Sequence, residues 1–316
     1  MDSKHFEEIL VKYSLFICAG ISTIIVFFIV FFLVYNGYHA VVGFFLQGLN
    51  YFDQNSIYAN GQAGTGLAIL SNVDSTVYLA AGATVLAVCI GLPCAIYMAE
   101  FSDMRIRNFT KTTLEVLDGF PSIVIGLVGF TLLVEPKNSY SFSGFLHSQA
   151  GWVFQGCDLY GWLILMIMAF PVIATISEDA LRAVPQDLRE ASLGIGATKW
   201  QTTREVLIPS AWPRIITSIL LALAASMGEM VAVFFVLKGT VPTSLLRSPL
   251  TILNPLITSQ TLSINMENSY TSALDGLGLP GPSVYFLGVA LFVMVGAVNI
   301  AIRVILARRS TTVGES

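Results

Sequence analysis

One carboxylate inside an apolar run stands out as a residue able to do chemistry. Glu229 lies within Ile215–Leu237, three residues past the midpoint, where charged residues cost about 2.5 to 3.5 kcal/mol on insertion scales. A residue kept there is functional by default, the alternative being a Glu that is protonated or paired with a neighbouring helix for structural reasons. An ionised Glu only accepts hydrogen bonds, so it favours a ligand that carries a proton and repels one that has none to offer. A second concentration of polar chemistry is the segment Arg189–Pro209, REASLGIGATKWQTTREVLIP, with five charges between two apolar runs. Its first residues favour a short helix, Gly196 a break, the following residues a second short helix, and Pro209 a stop. A rigid helical knob of that kind suits a groove on a soluble partner.

The elements that position these residues belong to a membrane. With 55% hydrophobic and 11% charged residues and a mean hydropathy of +0.74, the chain exceeds the roughly 45–50% apolar share of soluble domains. A net charge of −4 carries no signal for nucleic acid or anionic surfaces. Six runs can cross about 30 Å of hydrocarbon as helices: Tyr13–Tyr38, Ser75–Ala99, Leu117–Val134, Leu159–Ser177, Ile215–Leu237 and Pro282–Ile302. Each is far longer than the strands of about ten residues that build membrane barrels. The fold class expected is an all-α integral membrane protein with six transmembrane helices.

Cations orient it. Lys4, Lys12, Arg105, Arg107, Lys111, Arg182, Arg189, Lys199, Arg204, Arg214, Arg303, Arg308 and Arg309 fall on one side, which is 13 of the 16. Lys137, Lys238 and Arg247 fall on the other. The positive-inside rule therefore puts both termini and the Arg189–Pro209 segment in the cytoplasm. The first run is longer than a signal-peptide core and reads as an uncleaved span. Cys18, Cys89 and Cys94 lie in membrane runs and Cys157 lies in an external loop, so no disulfide framework or metal pattern follows.

Two glycine-rich decoys can be discarded. Gly61–Gly66, GQAGTG, lacks the Lys-Ser/Thr ending of a phosphate loop and lies externally; Gly276–Gly281, GLGLPG, is interrupted by Pro280 and follows no strand. His5, His39 and His147 all fall in tails or loops, which argues against an intramembrane enzyme. A passive channel would not need a docking knob. Small residues at Ala80, Thr84, Ala87, Gly91 and Ala95, at Gly119, Ser122, Gly126 and Gly129, and at Ser218, Ala222, Ala225 and Ala232 mark close helix packing, with Glu229 expected on the last of these faces. Pro121 near the start of the third span is compatible with a break that exposes backbone to a cavity.

The spacing within the polar segment resembles the EAA signature of ABC importer permeases. Glu190-Ala191-Ser192 is followed by Gly196 and then by Val206, Ile208 and Pro209, with Ser192 standing for the second Ala. YMAEF (Tyr97–Phe101), LEVLDGFPSIVIGLVGF (Leu114–Phe130), GEMVAVFFV (Gly228–Val236) and the closing span with Asn299 are similar to the phosphate-specific permeases, PstC-like first and PstA-like next. The resemblance covers roughly residues 75 to 305.

It implies a type I importer permease fold (MetI-like), with the N- and C-termini inside, in a prokaryotic cell membrane. The divisions are a tail at 1–12, first span and external loop at 13–74, permease core at 75–303 with a coupling loop at 178–214, and a tail at 304–316. Glu190, Ala191, Gly196 and Pro209 become coupling positions toward two ATPase subunits, which hold ATP and magnesium, while this chain binds no cofactor. A second permease, homologous or identical, and an external phosphate-binding protein complete the implied assembly. Glu229 becomes a pathway residue, with Ser226 and Ser122 as candidate donors. Phosphate keeps at least one proton near neutral pH, whereas sulfate, molybdate and tungstate do not, so an ionised Glu229 separates them. A protonated Glu229 would lose that discrimination. The family commonly has Arg where this chain has Ala225; either a partner supplies the cation or the substrate is another oxyanion such as sulfate, molybdate or tungstate.

Orientation is directly testable. After replacement of the four cysteines, Lys199→Cys is expected to react with membrane-impermeant thiol reagents only from the cytoplasm and Gln260→Cys only from outside. Reversed labelling would remove the segment from reach of any cytosolic ATPase.

Overall fold

The computed structural model describes residues 3–47, 66–134, 157–237, 261–264, 266 and 282–313. Lys137, His147, Lys238, Arg247, Gln260, Gly276–Gly281 and residues 48–65 of the external stretch 39–74 lie outside them. Every element among the described residues is helical, as hydrocarbon requires of backbone that must satisfy its own hydrogen bonds. In chain order these are α1 (Ser3–Gln47), α2 (Gly66–Ile96), α3 (Met104–Asp118), α4 (Ser122–Gly129), α5 (Asp158–Arg182), α6 (Gln186–Gly194), α7 (Lys199–Thr202), α8 (Ile208–Gly228), α9 (Val231–Leu237) and α10 (Pro282–Val313). Wide π turns at Tyr97–Phe101, Phe130–Val134 and Thr203–Leu207 extend α2, extend α4 and join α7 to α8.

Five helices are long and apolar enough to cross a membrane, and six if α3 with Ser122–Val134 counts as one bent span. Contacts divide the chain into two units: Met1–Gly66 with Met266–Phe292, and Leu67–Asn265 with Val293–Ser316. In the first unit α1 packs on the start of α10, where the Phe32 and Tyr285 rings meet edge to face with centroids 6.0 Å apart. Gly37 leaves room for Tyr285, and Gly288 for Leu33.

In the second unit the small-residue face of α2 is used as its spacing predicts, whereas Gly119 and Ala225 on the other two faces are exposed. Ala80, Thr84, Ala87, Gly91 and Ala95 are all buried. Gly82 meets Trp162, and Gly91 meets Ile173, so α2 and α5 run in the same direction. α8 returns antiparallel to α5, from Leu207 and Ala211 beside Leu181 and Val184 to Ala222 beside Ile173. Between them the buried hydroxyls of Ser177 and Ser218 share a 3.0 Å hydrogen bond. Gly126 abuts Ala232, and Gly129 abuts Val236 and Ile164, so α4 and α9 pack in parallel. These directions are those of a chain that reverses at every crossing.

Two expected spans are not continuous. The third run, Leu117–Val134, turns through 88° between α3 and α4. Pro121 disfavours helical geometry at Phe120, and the Ser122–Val134 piece extends only about 20 Å at 1.5 Å per residue. α3 is itself helical rather than a loop, with Leu114 buried, Arg107 and Lys111 half-buried, and Ile106, Phe109 and Val116 exposed. That division of faces suits a helix lying along the membrane surface. The fifth run, Ile215–Leu237, stops at Gly228 and restarts at Val231, with Glu229 in extended geometry (φ −73°, ψ 120°). Glu229 therefore does not share a continuous helical face with Ser218, Ala222, Ala225 and Ala232. Its fifth helix also begins earlier than expected, running unbroken from Lys199 to Gly228.

The parallel pair α4–α9 depends on Gly126, whose added Cβ would lie 2.7 Å from the Ala232 Cα, a backbone atom with little freedom to give. Gly126→Ala should cost about 1–3 kcal/mol, as overpacking does, read as a lowered melting temperature in detergent. Gly20→Ala, where a Cβ meets nothing within 4 Å, should be neutral or slightly stabilising.

Candidate coupling segment and substrate pathway

The polar segment folds as two short helices with a sharp corner. α6 ends at Gly194, and the chain reverses through Gly196 at φ +89°. Ala197 N–H donates to Ser192 O at 3.2 Å and Gly196 N–H to Leu193 O at 3.0 Å. This is the paired closure of a Schellman cap, in which the left-handed residue is most often Gly. α7 then opens with a capping box: Gln201 N–H donates to Thr198 Oγ1, and Thr198 N–H donates to Gln201 Oε1. The corner thus leaves neither helix end unsatisfied.

Glu190, Ala191 and Gly196 are exposed on this corner. Ser192 instead points inward, and its buried hydroxyl is 3.0 Å from Thr202 Oγ1, tying α6 to α7. Leu188, Leu193, Trp200 and above all Ile195, 87% exposed, give the knob an apolar outer surface. Pro209 is exposed but does not stop the helix. Ile208 N–H reaches back five residues to Thr203 O, and this widened turn lies where the Pro209 ring would otherwise meet the Glu205 carbonyl.

At the other site α4 and α9 bring their first turns to the same end, Ser122 on one and Glu229 just ahead of the other. Both residues are half-buried, and neither hydrogen-bonds the other. Glu229 Oε1 accepts the Ala232 N–H at 3.1 Å, satisfying a donor in the first turn of α9. Its Oε2 takes no hydrogen bond from the described residues. Ser226 is buried on the last turn of α8, and its carbonyl accepts the Glu229 N–H at 3.4 Å. Gly119, Phe120, Pro121, Ala225 and Gly228 at the two breaks are exposed. The three pathway candidates thus sit at two helix interruptions rather than along one helix face.

Sequence reasoning missed an ion cluster beside the coupling segment. Glu178, fully buried near the end of α5, is approached by Arg107 Nε at 2.7 Å, Lys111 Nζ at 3.2 Å and Arg182 Nε at 3.7 Å. Lys111 also meets Asp179 at 2.7 Å. That hydrogen bond, partly opposed by desolvation, holds the ammonium above its ordinary 10.5. A raised Lys contributes its stability below the ordinary value and loses it only as pH climbs through the folded value, far into the alkaline range. Arg189 of α6 pairs with Glu100 and donates to Leu181 O at 2.7 Å. The signal available was the cation spacing Arg107–Lys111, one helical turn, though nothing in the sequence named Glu178 as its partner.

The family described as "Binding-protein-dependent transport system inner membrane component" matches residues 91–311. The chain belongs to this family. The permease is 33% identical over 220 residues to "Probable ABC transporter permease protein YqgH" of Bacillus subtilis (strain 168), covering 70% of this chain and 65% of that one. It is 33% identical to "Phosphate transport system permease protein PstC" of Mesorhizobium japonicum, over 66% of this chain and 67% of that one. To PstC of Xylella fastidiosa (strain 9a5c) it is 30% identical, over 78% and 76%. Among solved structures it is similar to a bacterial alginate ABC transporter (TM-score 0.57, 14% identity, 97% of both chains) and to the MetNI methionine ABC transporter (TM-score 0.53, 18% identity, 76% of this chain and 95% of that one). The fold is therefore that of an all-α type I ABC importer permease, and the permease is an inner-membrane protein.

A β-branched residue at a left-handed position is strained by at least about 1 kcal/mol, so Gly196→Val should open the corner without touching the spans. Normal insertion with loss of bound ATPase subunits on co-purification is expected, and Gly196→Asn, which tolerates positive φ better, should retain them.

Proposed function

We propose that the permease is the transmembrane subunit of an ATP-driven importer of inorganic phosphate. It forms half of the translocation pathway, and a second permease subunit, homologous or identical, forms the other half. Two ATP-binding subunits dock on the α6–α7 corner, and an extracytoplasmic phosphate-binding protein delivers the ion. ATP and magnesium belong to the ATPase subunits; this chain binds no cofactor and catalyses no reaction.

The observation that carries the substrate assignment is Glu229 at a helix break, with one carboxylate oxygen committed to Ala232 N–H and the other without a hydrogen bond from the described residues, in a chain similar to phosphate permeases. In the bilayer irregular backbone is tolerated where it lines a cavity, and broken helices of this kind mark transporter binding sites. An open carboxylate oxygen takes a proton-bearing oxyanion by accepting its hydroxyl hydrogen. Ser226 and Ser122 are the candidate donors to the oxyanion's remaining oxygens. For the docking role, the support is a rigid polar corner carrying the apolar tips Leu188, Leu193, Ile195 and Trp200, a shape fitted to a groove. Glu190 and Ala191 lie on its exposed surface.

Ala225 favours a second reading. It is exposed one turn before Glu229 where a cation would be expected, so sulfate, molybdate or tungstate remains the competing substrate class. The two readings part in an uptake assay with labelled phosphate in a transport-deficient host. Wild type should accumulate phosphate without suppression by excess sulfate, molybdate or tungstate, and Glu229→Gln should assemble normally but lose about 10- to 100-fold of uptake, the loss of one well-placed charged hydrogen bond. Unaltered phosphate uptake by Glu229→Gln would make the residue a helix cap alone. Entry of molybdate or tungstate would sink the phosphate assignment and leave the importer standing.

A further inference from the structure

The ion cluster is absent from both roles assigned above, yet it lies between them. Arg189 fastens α6 to the end of α5 through Leu181 O, and to the π turn after α2 through Glu100. The coupling helix and the last turns of α5 therefore form one block. Glu178 lies on those last turns, and its two oxygens bind Arg107 and Lys111 of α3. Among the described residues, the ion pairs that α3 makes outside itself are those with Glu178 and Asp179. α3 runs into the Pro121 break and then α4, which lies on α9 at Gly126 and Ala232. Ala232 is the residue whose N–H Glu229 holds.

We propose that the Glu178 cluster is a positioning joint for transport: it makes α3 follow the coupling block, so that displacement of the α6–α7 corner reaches the α4–α9 pair. Glu178 suits this use because a fully buried carboxylate releases its partners at high cost, and it reinforces the contact of Leu114 with Met98 and Ala174 that also holds α3 to α5. Two cations one turn apart on α3 also fix its rotation, which a single pair would not. Arg182, on α5 itself, neutralises Glu178 without adding to the link. Arg107, Lys111 and Glu178 are thus positioning residues that touch neither substrate nor nucleotide.

The inference rests on the docking role proposed for the α6–α7 corner, and the test keeps the two apart. The full transporter, with ATPase subunits and binding protein, is reconstituted in liposomes, and ATP hydrolysis and phosphate uptake are measured in the same preparation. Arg107→Met/Lys111→Met removes the ionic part of the link, leaving the Leu114 contact in place and Glu178 its Arg182 partner, so no buried charge is orphaned. ATPase subunits should still co-purify and hydrolysis should persist, while uptake per ATP falls about tenfold, within the usual range of coupling between sites. Lys111→Met alone should lower the same ratio less, and the charge-keeping pair Arg107→Lys/Lys111→Arg should restore it. An unchanged ratio in both Met variants overturns the joint, as does a parallel fall of docking, hydrolysis and uptake, which would make the cluster merely structural. If instead Gly196→Val keeps its ATPase subunits, the docking reading fails, whatever the Met variants do.

Discussion

An amide hydrogen with no acceptor in hydrocarbon costs several kcal/mol, and that constraint governs the architecture. It makes every described element helical, and several interruptions are closed by side chains or by backbone caps. Glu229 does so at the start of α9 through Ala232 N–H. Thr198 and Gln201 do so reciprocally at α7, and the Gly196 corner closes the carbonyls of α6. Hydroxyls along the spans turn back on carbonyls four residues earlier, as Thr84 does on Ala80 and Thr217 on Pro213. Polar side chains in this protein serve backbone first, and those with capacity left over are the ones available to a ligand. Glu229 is such a residue: one oxygen serves α9 and the other takes no hydrogen bond from the described residues.

The same constraint explains where the chain bends. Proline and glycine remove hydrogen bonds or helical preference, and a span carrying them either widens its turn or breaks. Thr203–Leu207 widens, so Pro209 is absorbed into a helix that continues to Gly228. At Pro121 and Gly228-Glu229 the chain breaks instead. Both breaks fall where a neighbour supplies close support, because Gly126 lets α4 approach the Ala232 backbone and Gly129 receives Ile164. Small residues next to interruptions therefore let two incomplete helices brace each other.

Much of this was legible before any coordinates. Apolar runs marked the spans, three- and four-residue spacing of small residues picked out the buried face of α2, and Gly196 marked a break between two short helices, where the structure has a positive φ. Those features are local: each follows from the residue and its near neighbours. What stayed hidden depends on choices between near-equal outcomes or on partners distant in sequence. Pro209 reads as a stop in the local code, and only the widened turn before it lets the helix pass. Gly228 within an apolar run reads as a packing glycine as readily as a break. Arg107 and Glu178 are 71 residues apart, and no periodicity connects them.

Charge placement follows a gradient of exposure. Glu190 lies in water on the outer side of the coupling corner, Glu178 is fully buried behind it, and Glu229 is half-buried at a break in an apolar run. Burial raises the cost of an unpaired charge, and Glu178, the most buried, duly has the most cations, three. Glu229 breaks that order: its described partner is a backbone N–H, with no cation, and Ala225 offers none one turn earlier. On the phosphate reading proposed above, this half-buried carboxylate accepts the hydroxyl hydrogen of the oxyanion, and the balancing positive charge has to come from a cation of a neighbouring subunit. Under that proposal the missing cation at Ala225 and the uncommitted oxygen of Glu229 would be one property, a site that assembly and loading complete.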